Sequence, residues 1–321
     1  MSSVLESAKE AIVGATGSQE AKQSTGAFPG PEAYGAETQK GRVAGIQRDM
    51  EHVTPEHTRL EGANGLVDYV PAGKLVGKKA IVTGGDSGIG RSVAEMYALE
   101  GADVAIVYLP EEQADADDVK AKVQAAGRQF IGIPTDQRSK ANCQQIVDTV
   151  VKAWGQIDIL VLNASVMYAV PEIKDITEEQ FDRTLKTNLY GTFFLSQAAI
   201  PHMPKGSSII ITTSQCAFHA PPMLLDYSIT KAGQVGLIKA LAQQTLSKGI
   251  RVNGVAPGPV WTPLQPAAMD KDQMAEWHQS PAPIGRVGQP SELGGAYVFL
   301  ASKEASFISG ETINVNGGTV I

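Results

Sequence analysis

Cysteine is scarce: Cys143 and Cys216 are the two in 321 residues. A disulfide framework is therefore excluded, and reduced thiols in a reducing compartment are expected. Basic residues are outnumbered, with 27 Lys and Arg against 34 Asp and Glu and a net charge of −7. That balance argues against nucleic acid or an anionic membrane as the main partner. No apolar run reaches the ~18 residues that a membrane span needs. The first residues show no signal-peptide core either, so a cytoplasmic protein with no membrane partner is expected. Aromatics make up 6% of the chain, but 43% hydrophobic and 19% charged residues are those of an ordinary globular protein. The length allows one large domain or two small ones, each with a substantial core.

Residues 1–75 have few large aliphatics and no sustained periodicity, and are rich in Gly, Ala, Gln, Glu and Pro. They read as a partly disordered arm, flexible at first and lying on the main domain from about Pro31, with a short helix possible over 7–13. His52 and His57 have glutamates nearby, but the irregular context offers no well-placed third ligand. Solvated or hydrogen-bonded histidines are expected there, and no metal.

From Lys78 the chain becomes regular. The stretch 78–91 combines a short apolar strand (80–82), a glycine-rich turn and a helix pattern with Val93, Met96 and Tyr97 on one face. Strand-like runs follow at 103–108, 130–134, 159–162, 208–213, 251–256 and 312–315. Helical patterns lie between them at 114–126, 140–154, 177–199, 227–246 and 291–301, and Thr177 with Gln180 looks like a capping box. Strands alternating with helices imply right-handed crossovers and a parallel sheet covered on both faces. We expect residues 76–321 to form one α/β domain, a doubly wound seven-stranded parallel sheet of Rossmann type. Its ligands bind at the carboxyl ends of the strands.

The glycine turn is then a dinucleotide site. Gly84 permits the turn, Gly88 lets a pyrophosphate approach, and Gly90 packs helix on strand, with Asp86, Ser87 and Ile89 between them. Ser87 has a hydroxyl to offer phosphate. The strand ending at Tyr108 runs into Leu109-Pro110-Glu111-Glu112, with neither a carboxylate nor an arginine in the usual place to choose between NAD and NADP. The glutamates repel a 2′-phosphate, which leans the choice towards NAD. Asp136 is placed either to accept from the adenine amino group or to act as a turn or cap residue. Asn163, after the run 159–162, either braces strand ends or touches the cofactor.

The strongest chemical signal is Tyr227-Ser228-Ile229-Thr230-Lys231, with Ser214 upstream. Residues four apart share a helix face, so the lysine ammonium stands near the phenol and is expected to lower its pKa. Tyr227 becomes an acid–base, and Ser214 can hold a substrate oxygen. Ser228-x-x-Lys231 also matches a serine β-lactamase signature, but the accompanying Ser-Asp-Asn and Lys-Thr-Gly elements are missing. Cys216 has only His219 as a conceivable base nearby, so a lining role is expected for it.

Thr83-Gly84-x-x-x-Gly88-x-Gly90, Asn163-Ala164, Asn188, Ser214, Tyr227-x-x-x-Lys231 and Pro257-Gly258 together resemble the short-chain dehydrogenase/reductase family over about residues 75–321. The long arm resembles a subgroup of bacterial and fungal oxidoreductases with N-terminal extensions. The resemblance implies that Tyr227 is the general acid–base and that Lys231 tunes it and binds the nicotinamide ribose. It implies that Ser214 positions the substrate and that Asn188 holds a water in a proton relay. Asn163, Ala164, Pro257, Gly258 and Val260 fall on the cofactor side, and Thr262 on the nicotinamide carboxamide. It further implies a homo-oligomer, a dimer or tetramer built on the helices carrying Asn188 and Tyr227. Ser165 stands where the family pattern has glycine.

The expected reaction is hydride transfer between NAD or NADP and a ketone or secondary alcohol. Alternatives on the same scaffold are imine reduction, a non-redox cyclisation or dehydration, or a catalytically silent cofactor-binding protein. Val166, Met167, Tyr168, Ala217, Phe218, His219, Met223, Val260, Trp261 and a lid over 264–283 are the substrate-side candidates. Met269, Met274 and Trp277 in that lid suggest a hydrophobic or aromatic small molecule, or else simple packing.

Overall fold

The computed structural model describes residues 27–30, 33–42, 45–279 and 282–321. The helix expected over 7–13, and the first part of the arm, lie outside the described residues. Two strands of the arm, β1 (Arg59–Gly62) and β2 (Gly65–Asp68), form an antiparallel hairpin. Seven parallel strands follow: β3 (Lys79–Thr83), β4 (Asp103–Tyr108), β5 (Phe130–Pro134), β6 (Ile159–Leu162), β7 (Ser208–Thr212), β8 (Arg251–Pro257) and β9 (Thr312–Val315). They lie in the order β5-β4-β3-β6-β7-β8-β9. The chain therefore builds outward from β3 in one direction, then returns to the other side of β3 with β6. The crevice at that reversal is where a doubly wound sheet accepts ligands.

Alternation along the strands divides the core into two layers. Ala80 and Val82 face α1 (Gly88–Leu99), α2 (Gln113–Ala125) and, later in the chain, the helix Pro290–Ala301. Ile81 between them faces the opposite layer, with Ile146, Val147 and Val150 of α3 (Lys140–Trp154). The apolar runs of the central strands β4, β6 and β7 follow from this double coverage, since both of their faces are buried, while the edge strands β5 and β9 are partly exposed.

The pattern over 177–199 forms two helices in place of one. α4 (Glu178–Leu185) passes into a π-helical turn, Lys186–Tyr190, and then α5 (Gly191–Ala199). Thr177 caps the start by accepting from Gln180 N at 3.1 Å, but the Gln180 side chain donates to Asp226 at 3.0 Å. The reciprocal half of a capping box is thereby spent on the next helix, α6 (Leu225–Thr245). The wider turn places Asn188 where its side chain reaches Val166.

Two short helices, α7 (Leu264–Ala268) and α8 (Lys271–Gln279), follow β8, and α9 (Pro290–Ala301) precedes β9. The arm is better packed than its composition suggests. Phe28, Tyr34, Met50 and Leu75 are all buried. Arg286, itself buried, ties Glu61 of the hairpin at 2.6 Å to Glu292 of α9 at 2.7 Å.

Candidate active site

A cavity opens at the carboxyl ends of β3, β4, β6, β7 and β8. Its floor is the glycine turn. Gly84 and Gly88 have φ of +61° and +49°, a region that L side chains rarely adopt. A Cβ on Gly90 would lie 1.9 Å from the Gly84 carbonyl oxygen, so the helix can meet the turn only without a side chain there. A Cβ on Gly88 would press on Thr262 at 3.0 Å. The backbone is thus laid bare at the start of α1, where the N-terminal turn and the helix dipole favour an anion.

Thr83, which the sequence reading gave no role, joins the walls. Its hydroxyl accepts from Asn163 N at 2.9 Å and Ala164 N at 3.0 Å. Asn163 Nδ2 donates to the carbonyls of Thr83 and Gly84, and its Oδ1 accepts from Thr212. Its side chain is therefore a brace between β3, β6 and β7. Ser165 lines the cavity with its hydroxyl buried and unpartnered, so the position usually held by glycine adds a polar group.

At the other end of the cavity, Tyr108, Leu109 and Glu112 lie beside Asp86. Asp86 is 1% exposed and its Oδ2 has no hydrogen-bond partner. Burial pushes its carboxyl up, against its own backbone N–H and the Ser87 hydroxyl, which favour the charge. Ser87 lines the cavity beside it. Burial, and then the Asp86 charge, push Glu112 up as well, although it accepts from Leu109 N at 2.7 Å. Asp136 lines the cavity held by Arg138, whose N and Nε donate to it at 2.9 and 2.7 Å. Burial would raise this carboxyl, but the Arg138 bonds outweigh it and hold it low.

The Tyr227 phenol, the Lys231 ammonium and the Ser214 hydroxyl converge at the end of β7. Ser214 lines the cavity with Tyr227, and its Oγ accepts from Cys216 N at 3.1 Å. Lys231 Nζ lies 5.2 Å from the Tyr227 ring centroid and donates to the Thr212 carbonyl at 2.9 Å. The expected depression of the phenol's pKa is not what the chain's own groups produce. Burial pushes Tyr227 up, with the nearby Cys216 adding to it and Ser214 opposing. Burial likewise pushes Lys231 down to about 7. The ammonium serves Thr212 first, and desolvation exceeds its attraction for the phenolate.

Asn188 is fully buried. Its Oδ1 accepts from Val166 N at 2.8 Å, and its Nδ2 donates to Val166 O at 2.9 Å and Thr230 at 3.1 Å. Its carbonyl accepts from Gln234 Nε2 at 2.7 Å. Pro257, Gly258, Val260, Thr262 and Ile89 also line the cavity. Thr262 bonds Gln265 through both N and Oγ1.

Of the substrate-side candidates, Val166, Val260, Leu264 and Gln265 line this cavity. Trp261 and Met274 do not. Both are fully buried, and Trp261 Nε1 donates to Val53 of the arm at 2.7 Å. Phe218 is about half exposed. Gly45, from the arm, lines the cavity as well, a contact that no local pattern announced.

The family model described as Enoyl-(Acyl carrier protein) reductase matches residues 84–320. A short-chain dehydrogenase from Burkholderia cenocepacia J2315, solved in complex with NADP, superposes with a TM-score of 0.71 at 34% identity, covering 76% of this chain and 98% of that one. The chain is a short-chain dehydrogenase/reductase. Similar members of the family include the glucose and ribitol dehydrogenase of Daucus carota, 43% identical over 93% of this chain and 99% of the relative. The chloroplastic NADPH-dependent aldehyde reductase 1 of Arabidopsis thaliana is 42% identical, over 86% and 96% respectively. As a short-chain dehydrogenase/reductase the chain is an NAD(P)-dependent oxidoreductase. Its bared glycine backbone, buried acceptors and braced strand ends suit a dinucleotide laid across the switch point. No helix among the described residues is long and apolar enough to cross a membrane.

Proposed function

We propose that the enzyme moves hydride reversibly between a nicotinamide dinucleotide and a small ketone, aldehyde or alcohol. Convergence of Ser214, Tyr227 and Lys231 in one cavity with the glycine turn carries this reading. When bound, the dinucleotide supplies or accepts the hydride. In reduction, Ser214 holds the carbonyl oxygen by its hydroxyl, and Tyr227 gives that oxygen its phenolic proton. Lys231, anchored on Thr212, faces the ring and stabilises the phenolate left behind. Asn188 fixes Val166, Thr230 and Gln234 around them, which keeps the acid–base group in register.

The substrate end is walled by Ser165, Val166, Leu264 and Gln265, a mixture of hydroxyl, amide and apolar groups. With Trp261 and Met274 turned to packing, a substrate bearing polar groups fits better than a purely aromatic one. The names of the carrot and Arabidopsis relatives, a sugar and polyol dehydrogenase and an aldehyde reductase, agree with this choice. For the cofactor, the buried carboxyls of Asp86 and Glu112 beside the end of β4 support NAD, since they would suit ribose hydroxyls and neither offers a 2′-phosphate a positive charge. A homo-oligomer is part of the same reading, supported by Tyr190 and Phe193, each 47% exposed. A mass measurement in solution tests that point.

The deciding experiment pairs NADH and NADPH fluorescence titrations with assays of sugar alcohols and aldehydes on wild type and Tyr227→Phe. NADH is expected to bind more tightly, and the variant to bind it equally while losing roughly 10²- to 10⁴-fold in turnover. Full turnover by Tyr227→Phe would overturn the acid–base assignment. Tighter NADPH binding would overturn the choice of cofactor.

A further inference from the structure

The arm reaches the phosphate turn itself. Gln47, 6% exposed, places its Oε1 2.9 Å from Gly88 N, the first amide of α1. The same oxygen lies 3.1 Å from His57 Nε2. Three other bonds dock this part of the arm. Gln47 N donates to Asp115 Oδ2 at 3.1 Å, Arg48 bridges to Asp115 Oδ1 at 3.1 Å, and Ser92 donates to the His57 carbonyl at 2.7 Å. Two helices that frame the cofactor crevice, α1 and α2, therefore hold the arm. Gly45 completes the fit, because a Cβ there would lie 2.0 Å from the Pro263 carbonyl.

Helices usually take their first cap from the residue before them. Ser87 occupies that position but its side chain makes no cap bond. Gln47 takes over, 41 residues upstream. A carboxylate would be the stronger partner for a helix N-terminus. It would also stand next to a bound pyrophosphate and repel it. An amide oxygen accepts the hydrogen bond while leaving the positive end of the helix for the phosphates. His57 matches this neutrality: burial, with Arg91 and Lys122 nearby, holds it well below the usual histidine range, so it donates to Gln47 as an uncharged ring.

We propose that Gln47 is a positioning residue of the cofactor site, an uncharged cap supplied by the arm that holds the glycine turn in its phosphate-binding shape. The proposal rests on the reading of the cavity as a dinucleotide site. It makes the arm a functional wall of that site and not an appendage.

The test uses the full chain with Gln47→Met, which keeps the bulk and loses the acceptor, and Gln47→Glu, which keeps the acceptor and adds charge. Affinity for NADH and NADPH is read by fluorescence titration, with thermal midpoints checking the fold. The expected order of affinity is wild type, then Met, then Glu, with Glu weaker than wild type by about tenfold or more from like-charge repulsion. Cofactor KM should rise in both variants while kcat at saturation stays within about threefold. Glu binding as tightly as wild type would overturn the neutral-cap argument, and equal affinity in all three would remove Gln47 from the site. Amide exchange at Gly88 in the wild type requires no folded variant. Slow exchange is expected without cofactor, and exchange at the rate of an open loop would overturn the proposal. Failure of the wild type to bind either dinucleotide would instead overturn the underlying reading, and this inference with it.

Discussion

Tyr34 lies on Trp261, with ring centroids 4.8 Å apart and planes tilted by 54°. The pair joins the arm to the loop carrying Val260 and Thr262 on the cavity wall. Tyr34 also accepts from Gln289 Nε2 at 2.9 Å, and Trp277 stacks on Trp261 with centroids 6.3 Å apart. Removing a fully buried aromatic ring typically costs 3–5 kcal/mol. Tyr34→Ala should lower stability by about that much in urea unfolding, and should raise cofactor KM through the loosened wall. A variant with wild-type stability would mean that the arm is held by its polar contacts alone.

Lys231 carries a second prediction. Its side chain is 1% exposed, and burial brings its pKa down to about 7 from 10.5. Between those values the unfolded chain binds a proton that the folded chain does not. Wild-type stability should therefore rise with pH across that window, by up to about 1.4 kcal/mol per pH unit. Below it, the buried ammonium is a constant burden. Lys231→Met removes the burden together with the Thr212 bond. The variant should be inactive yet more heat-resistant than wild type at neutral pH, with the gap closing as pH approaches 10. Differential scanning calorimetry across pH 6–10 checks this, and a pH-independent gap would count against a desolvated lysine.

Most of the sheet was legible because its signals are local. The runs at 103–108, 130–134, 159–162 and 312–315 became strands with those bounds, since apolar runs between turn residues have few other outcomes in a doubly covered sheet. Gly84, Gly88, Gly90, Ser214, Tyr227 and Lys231 were legible for the same reason, being fixed in spacing by one turn or one helix. What was not legible depends on partners far apart in the chain. Gln47 meets Gly88 across 41 positions, and Trp261 meets Val53 across 208. Nothing in a polar, aperiodic arm announces such contacts: the sequence lays the arm on the domain from about Pro31 and leaves His57 solvated or hydrogen-bonded, without naming partners for it or for Tyr34. The break at Lys186–Tyr190 was hidden likewise. It serves Asn188's bonds to Val166 and Thr230, and both partners belong to other elements.

Asp86 tests the choice of cofactor directly. Its Oδ2 is buried and unpartnered, and its charge disfavours that of Glu112 beside the end of β4. Asp86→Asn keeps the shape and removes one negative charge from the ribose end. The ratio of NADPH to NADH affinity should move towards NADPH by about tenfold, the equivalent of about 1.4 kcal/mol. Fluorescence titration with both cofactors reads it. An unchanged ratio would take Asp86 out of cofactor discrimination and leave Glu112 as the residue to vary.

Gly90 gives the most severe expectation for one added methyl group. Its Cβ would fall 1.9 Å from the Gly84 carbonyl oxygen and 2.6 Å from Asn163 Nδ2. Neither neighbour can yield freely. The first is backbone in a turn whose Gly84 already sits at positive φ, and the second is the brace tied to Thr83, Gly84 and Thr212. Gly90→Ala must therefore push α1 away from the turn, and overpacking of this kind costs about 1–3 kcal/mol or more. Because the displaced helix carries Gly88 N, cofactor affinity should fall much further than stability does. Isothermal titration with the dinucleotide, beside a urea melt, separates the two. Loss of stability with full cofactor affinity would show that the phosphate turn does not depend on the seat of α1.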